Sequence, residues 1–271
     1  WMRSFFVEPD EINKSRATIG GGDARHIRKV LRLKPGARVQ VTDGRGQLGE
    51  ARVHRVERDH VVVEIMKRST SHPTAARARF VAQALLKDRK MDGLIRALTE
   101  LGMTTWMPFG STRSVPQPDH RRLQARKERW ARIAREAVKQ CGRRHLPEIR
   151  PVGGLADIIR ATEDFAHKIM FWEAAEALPA KPRGALATAD HGHVIMVVGP
   201  EGGFTDQEAE TARRMLVEQF LAVRRPGTVL DLGCGTGAYS RLAARLGARV
   251  IAVDSDHDAV ERLYRRSRET A

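Results

Sequence analysis

The pattern of apolar and polar positions changes along the chain, and each change predicts a different architecture. Between residues 37 and 65 the period is two. Ala37-Arg38-Val39-Gln40-Val41, Ala51-Arg52-Val53-His54-Arg55-Val56 and Val61-Val62-Val63-Glu64-Ile65 alternate inward and outward positions, as half-buried strands do. Asp43-Gly44-Arg45-Gly46 supplies turn residues after the first of them. Short strands at this spacing predict a small β-barrel, with residues 2–70 read as strands throughout. Several outward positions are arginine, so one face suits a phosphate backbone. The stretch from Lys67 to Thr74, with two serines, a histidine and Pro73, predicts a linker.

From Arg79 onward strands and helices alternate. Phe80-Val81-Ala82-Gln83-Ala84 reads as a strand, and Leu94, Ile95, Leu98 and Leu101 mark the apolar stripe of a helix. A long helix is predicted over 121–140, with Leu123, Trp130, Ile133, Ala134, Ala137, Val138 and Cys141 on one face. Arg122, Arg126, Arg129, Arg132 and Lys139 mostly point elsewhere, forming either a solvated face or an RNA contact. Lys168-Ile169-Met170-Phe171-Trp172 is a further strand, ending at Glu173.

Val194-Ile195-Met196-Val197-Val198 is a continuous apolar, mostly β-branched run, which reads as a buried strand. It passes directly into Gly199-Pro200-Glu201-Gly202-Gly203-Phe204-Thr205. The glycines let the backbone turn sharply and approach a ligand with no Cβ in the way, and a branched side chain at Gly202 is expected to obstruct that approach and to demand a disallowed backbone angle. Thr205 with Glu208 forms a capping box, so a helix begins at once. Strand, glycine turn and helix together make either a binding edge of an open α/β sheet or an ordinary glycine-rich connection.

The last part of the chain repeats this grammar in another form. Thr228-Val229-Leu230-Asp231-Leu232 precedes Gly233-Cys234-Gly235-Thr236-Gly237, an alanine-rich stretch, and Val250-Ile251-Ala252-Val253-Asp254. Glycines after a strand and an acid at the end of the next strand resemble the opening of a Rossmann-type S-adenosylmethionine (AdoMet) methyltransferase. Only residues 255–271 follow, room for one helix near 259–266. This is at most a βαβα fragment and is not expected to build a working site alone.

Charge changes the picture more than overall composition does. Lys plus Arg number 48 against 33 Asp plus Glu, a formal net charge of +15, which marks a polyanion partner. Arginine predominates, and its fork suits bidentate phosphate contact. The chain is long enough for two ordinary domains and a fragment. No apolar run approaches membrane length and no secretory leader pattern is present, so a cytoplasmic protein is expected. Cys141 and Cys234 stand in unrelated contexts, and no His/Cys group has zinc spacing, so no metal is expected.

The loop Gly199-Pro200-Glu201-Gly202-Gly203-Phe204 after a buried strand resembles the knotted SPOUT methyltransferases, and within them the family that methylates N3 of a uridine in 16S, small-subunit ribosomal RNA. Further matches to that family are Arg3-Ser4-Phe5-Phe6-Val7, His26-Ile27-Arg28-Lys29-Val30-Leu31-Arg32 and Asp43-Gly44-Arg45-Gly46 near the start. Gln83-Ala84-Leu85-Leu86-Lys87, Thr99-Glu100-Leu101-Gly102, Arg113-Ser114-Val115 and Glu136-Ala137 with Gln140 continue the match, which covers roughly residues 2–215. The family ending LGxRILRxETA, one wall of the cofactor pocket, is replaced. Leu246-Gly247-Ala248-Arg249-Val250-Ile251 and Arg268-Glu269-Thr270-Ala271 imitate parts of it.

The resemblance implies a PUA-like β-barrel (residues 1–72), a SPOUT-like knotted α/β domain (73–220) incomplete at its knot, and a Rossmann-like fragment (221–271). It implies AdoMet as cofactor, bound by Trp172, Glu173, Val198, Gly199, Pro200, Glu201, Gly202 and Gly203. Arg113 and Glu201 are the catalytic candidates; Glu173 and Glu201 either handle a proton or cap and pair structurally. RNA contacts are expected from Arg3, His26, Arg28, Arg32, Arg143 and Arg144, although the last two also suit capping a helix C-terminus. Ribosomal RNA or the small subunit is the implied partner, and a homodimer the implied assembly. The replaced ending predicts a pocket open on one side, the tail either packing apart or lending 230–232 or 250–253 to the main sheet. Two rivals remain: a Rossmann-type methyltransferase acting through Asp231, Gly233, Gly235, Gly237 and Asp254, and a non-catalytic RNA-binding protein.

Overall fold

The computed structural model describes residues 2–13, 15–70, 78–87, 89–165, 167–171, 193–224, 228–232, 238–253, 258 and 261. They form two compact units, one of residues 1–153 with 165–203 and one of 154–164 with 204–271.

The first unit opens with six strands: β1 (Ser4–Phe6), β2 (Ile12–Asn13), β3 (Arg16–Ile19), β4 (Arg38–Thr42), β5 (Gln47–Val56) and β6 (Val61–Thr70). They form one sheet in the order β1-β4-β5-β6-β3-β2, parallel between β1 and β4 and antiparallel in the other pairs. Among the described residues no ladder joins β1 to β2. The period-two pattern holds: Val39, Val41, Ala51, Val53, Val61 and Val63 are buried, and Arg38, Arg52, His54 and Glu64 are exposed.

The expectation of strands throughout 2–70 needs one correction. Gly21–Arg25 forms α1, continuing as a π-helical turn over His26–Leu31. Ala24 and Ile27 are buried against the sheet and Leu31 packs beside them. This i, i+3, i+7 spacing is a helical stripe, set among charged residues that masked it in the sequence.

A second sheet follows in the same unit. Its strands are β7 (Arg79–Ala84), β8 (Thr105–Gly110), β9 (Glu148–Ile149), β10 (Val152–Gly154), β11 (His167–Phe171) and β12 (Val194–Val198). Their order is β10-β8-β7-β12-β11, with β9 also on β8, and the run from β9 through β8, β7 and β12 to β11 is parallel. Sequence pattern missed β8 because Pro108 lies inside it, and proline normally argues against a central strand. The exception has a geometric cause. Glu148 and Arg150 donate their N–H groups to the carbonyls of Thr104 and Trp106, while Leu85 donates to Phe109. Pro108, two residues past Trp106, therefore turns its nitrogen to the outer side of β8, away from β7, so the central β7–β8 ladder loses no hydrogen bond to it.

Helices α2 (Lys90–Leu101) and α3 (His120–Cys141) cover this sheet. The Asp119 side chain accepts a 2.7 Å hydrogen bond from the Arg122 N–H to cap α3, and Gly142 ends it in the left-handed conformation. Trp130 on α3 meets Trp106 on β8 edge to face, with centroids 4.9 Å apart, among Val81, Met91, Ile95 and Ala134.

The far end of α3 holds the first sheet. Lys139 pairs with Asp23 at 2.8 Å, and Arg135 pairs with Glu8 while lying 4.7 Å over the Phe6 ring. Asp43-Gly44-Arg45-Gly46, read from the sequence as a turn, is also a docking point. Leu146 donates to the Gly44 carbonyl and Gly46 to that of Arg144. Gly44 has φ 68°, and a Cβ there would collide with Leu146 and Phe6.

The second unit contains α4 (Leu155–Ala161), α5 (Asp206–Arg224), β13 (Thr228–Leu232), α6 (Ala238–Arg245) and β14 (Arg249–Val253). Strands β13 and β14 pair in parallel as a separate two-stranded sheet. The expected βαβ order is present, and neither strand joins the six-stranded sheet. The anticipated helix near 259–266 falls almost wholly outside the described residues.

Replacing Trp130 with Ala is expected to cost about 3–5 kcal/mol, read as a lower urea midpoint, and Trp130→Phe markedly less. Equal losses for the two variants would show that the ring pair does not anchor α3.

Candidate cofactor and substrate site

The glycine loop sits at the C-terminal edge of the parallel sheet, where open α/β sheets leave a crevice. Register puts it there. Val198 at the end of β12 lies beside Gln83 at the end of β7, and beside Phe171 at the end of β11 on the other side. Pro200–Gly203 closes a turn through a 3.0 Å bond from the Gly203 N–H to the Pro200 carbonyl.

Three side chains from different segments hold this loop. Gln83, buried at its strand end, donates its amide to the Gly199 carbonyl at 2.9 Å. Glu201 accepts from the Lys87 N–H at 3.2 Å and pairs with Lys90 at 3.0 Å. Arg113, from the loop after β8, donates to the Gly202 carbonyl at 2.8 Å. The hydrogen-bonded Lys90 ammonium holds the Glu201 carboxyl below its ordinary value, assisted by backbone N–H groups of its own loop and of Lys87. The pairing therefore operates above the ordinary carboxylate range and is lost as pH falls through the lowered value.

The left-handed residue is not the one expected from sequence. Gly203 has φ 65°, whereas Gly202 is absent from the positive-φ residues and its Cβ would meet Arg113 only at 3.5 Å, an ordinary contact. The backbone constraint lies at Gly203, and Gly202, which is exposed, is the open part of the loop. In the second unit the capping box forms as read: Glu208 donates its N–H to the Thr205 hydroxyl at 3.1 Å, and its carboxylate accepts from the Thr205 N–H at 3.0 Å.

The remaining site candidates are scattered. Trp172 and Glu173 lie outside the described residues, as do Gly233, Gly235, Gly237 and Asp254, while Asp231 lies within β13. Arg3, His26 and Arg32 are exposed on the first sheet and its helix, with Arg32 at φ 48°; Arg28 is half-buried. Arg143 and Arg144 are structural ties. The Arg143 Nε donates to the Glu100 carbonyl at 2.8 Å and its guanidinium covers Gly102, so it caps α2 and not its own helix. Arg144 donates to the Ser69 hydroxyl at 2.8 Å on β6. Sequence reading missed Gln83 and Lys90 as parts of the site, although Gln83 stood inside a quoted match; only register makes them neighbours of the glycine loop.

Among the described residues no group of His, Cys, Asp and Glu converges as a metal site, and no helix is long and apolar enough to cross a membrane. A parallel α/β sheet ending in a side-chain-clamped glycine loop, on a chain that also carries a basic β-rich N-terminal part, defines an open α/β class of fold with a glycine loop at its binding edge. Residues 74–221 match the family model described as an RNA methyltransferase domain, and residues 19–66 match an RNA methyltransferase PUA domain. The chain belongs to the RNA methyltransferase family. Residues 229–271 match a separate methyltransferase domain model.

The chain is 25% identical to the ribosomal RNA small subunit methyltransferase E of Bacillus subtilis, over 77% of this chain and 84% of that protein. It is 27% identical to the protein of the same name from Mycobacterium bovis, over 75% of this chain and 78% of that protein. The crystal structure of a ribosomal RNA small subunit methyltransferase E from Neisseria gonorrhoeae bound to S-adenosyl methionine shares the fold. Its TM-score is 0.65 at 20% identity, covering 98% of both chains.

Gly203→Ala is expected to destabilise the chain by about 1–2 kcal/mol, because an L-residue must occupy the left-handed region, while Gly202→Ala changes stability by only a few tenths. Urea unfolding of both variants checks this, and equal shifts would remove the constraint from Gly203.

Proposed function

We propose that this chain is an AdoMet-dependent methyltransferase acting on N3 of a uridine in 16S ribosomal RNA, on or near the small subunit. The carrying observation is the glycine loop, held at the sheet edge by Gln83, Lys90 and Arg113 and presenting exposed backbone at Glu201 and Gly202. The family to which the chain belongs, and the names of its relatives, support the same reading.

The residues present suit the cofactor. Recognition falls on backbone groups of 198–203, and the loop's one carboxylate is turned aside into its pair with Lys90. When bound, AdoMet supplies an electrophilic methyl group on a sulfonium. The protein's part is to bring the acceptor nitrogen to contact distance in line, an advantage worth about several kcal/mol. N3 of uridine must also lose its weakly acidic proton, which passes to water at the exposed loop. Arg113, anchored through Gly202 beside the loop, places positive charge where the uridine anion develops. Glu201, with its lowered pKa and its two lysine contacts, acts as a positioning residue that sets the loop. A knotted core, a homodimer in which each pocket borrows from its neighbour, and a cytoplasmic location complete the proposal.

The tail enters as a replacement for the family's final loop. A pocket lacking that wall leaves part of the cofactor in water, and two or three lost hydrogen bonds cost about 2–4 kcal/mol, roughly 30- to 1000-fold in affinity. Exchanging residues 216–271 for an ending of the form LGxRILRxETA is therefore expected to raise AdoMet affinity, measured calorimetrically.

Gly202→Val is expected to abolish AdoMet binding and methyl transfer to ribosomal RNA with the fold intact, and Gly235→Val to leave both nearly unchanged. The reverse result would assign the activity to the tail. A wild-type chain that binds RNA but gives no heat with AdoMet would be a binding protein only.

A further inference from the structure

A groove of about 560 Å³ opens between the β7–α2 loop and α3. Met91 and Trp130 line its floor, and Arg89, Arg126 and Arg129 surround it together with Asp92. Trp130 is buried against Trp106, so the floor is rigid. Among the described lining residues the single carboxylate is already engaged, because Asp92 pairs with Arg129. Among the described residues Arg89 and Arg126 have no carboxylate partner. Helix α2 also begins at this rim with no side chain capping its first N–H groups, so its positive end adds to the same field.

The basic surface beside the groove follows α3. Arg122, Arg126 and Arg129 follow one another at i, i+4 and i+7, a basic row about 10 Å long on one helix face. A concave surface with arginine forks on its rim and an apolar floor matches a phosphodiester with its attached sugar. The forks take the non-bridging oxygens in pairs, and the floor tolerates the apolar edge. Arg89 directly precedes Lys90, whose ammonium sets Glu201 of the glycine loop, so a strand gripped here is tied to the segment that positions the site.

We propose that this groove is a second RNA contact, separate from the N-terminal sheet, in which Arg89 and Arg126 clamp backbone phosphates of a single-stranded segment of the substrate. The proposal rests on the reading of the substrate as RNA.

The test is binding of a short fluorescein-labelled single-stranded RNA to the full chain, without AdoMet, followed by anisotropy across a salt series. Each phosphate contact to a single strand contributes about 0.7 to the slope of log affinity against log salt. R89Q/R126Q is expected to weaken binding at low salt by about tenfold or more and to reduce the slope by about 1.4. R89K/R126K keeps both charges, so it is expected to keep the slope while losing less affinity. R160Q/R213Q, which removes the same net charge from other helices, is expected to stay within about twofold of wild type. Circular dichroism confirms that each variant is folded.

If R89Q/R126Q matches R160Q/R213Q in affinity and slope while wild type binds RNA, the clamp is overturned and the groove belongs to another acidic partner. If wild type shows no salt-dependent RNA binding, the RNA reading itself fails. A slope that drops equally for R89K/R126K would also overturn the clamp, since the lost quantity would then not be charge on phosphate.

Discussion

Parallel pairing of β7 with β12 is the constraint on which the candidate site depends. The two strands are more than a hundred residues apart in sequence, yet their ladder sets Gln83 beside Val198. Once that register holds, the chain leaving β12 must turn within reach of the chain leaving β7. Gln83 then binds the Gly199 carbonyl, and Lys87 and Lys90 of the following segment meet Glu201. Pairing of β7 with β8 brings the loop after β8 to the same edge, and with it Arg113. A one-residue slip would turn each of these side chains to the opposite face. The glycine loop is thus shaped by neighbours as much as by its own glycines.

Helix α3 links this site to the rest of the first unit. Its apolar stripe closes the core over the parallel sheet through Trp130, and its last turns hold the N-terminal sheet through Arg135 and Lys139. Burial alone would lower the Lys139 pKa; hydrogen bonds to Asp23 and Glu136 outweigh it and hold the ammonium above its ordinary value. That pairing is fully present below the ordinary lysine range and is lost as pH rises through the raised value. One helix therefore has three tasks: core, docking and, at Arg126 and Arg129, the groove.

Chain statistics were most informative where a segment is buried on a regular period. The alternating strands of residues 37–65, the apolar run of 194–198 and the stripe of α3 were legible because burial selects apolar residues at fixed intervals. Two segments escaped. Residues 21–31 hid a helix beneath their charge, since only Ala24, Ile27 and Leu31 face inward. Strand β8 hid behind Pro108, whose nitrogen faces away from β7 and so leaves the central ladder intact.

The sequence by itself determined the local chemistry: the glycine loop, the capping box at Thr205, the basic balance and the break in character after residue 215. These are properties of near neighbours, and short-range sterics and composition suffice to specify them. Tertiary structure alone decided what each charged group does. It made Arg143 a cap for α2, Arg144 a tie to β6 and Glu201 a clamp on the glycine loop, and it moved the backbone constraint from Gly202 to Gly203. It also set β13 and β14 in a sheet of their own. An exposed arginine or glutamate is compatible with any of these roles until the fold selects its partners, because its side chain is long and reaches groups both near and far in sequence.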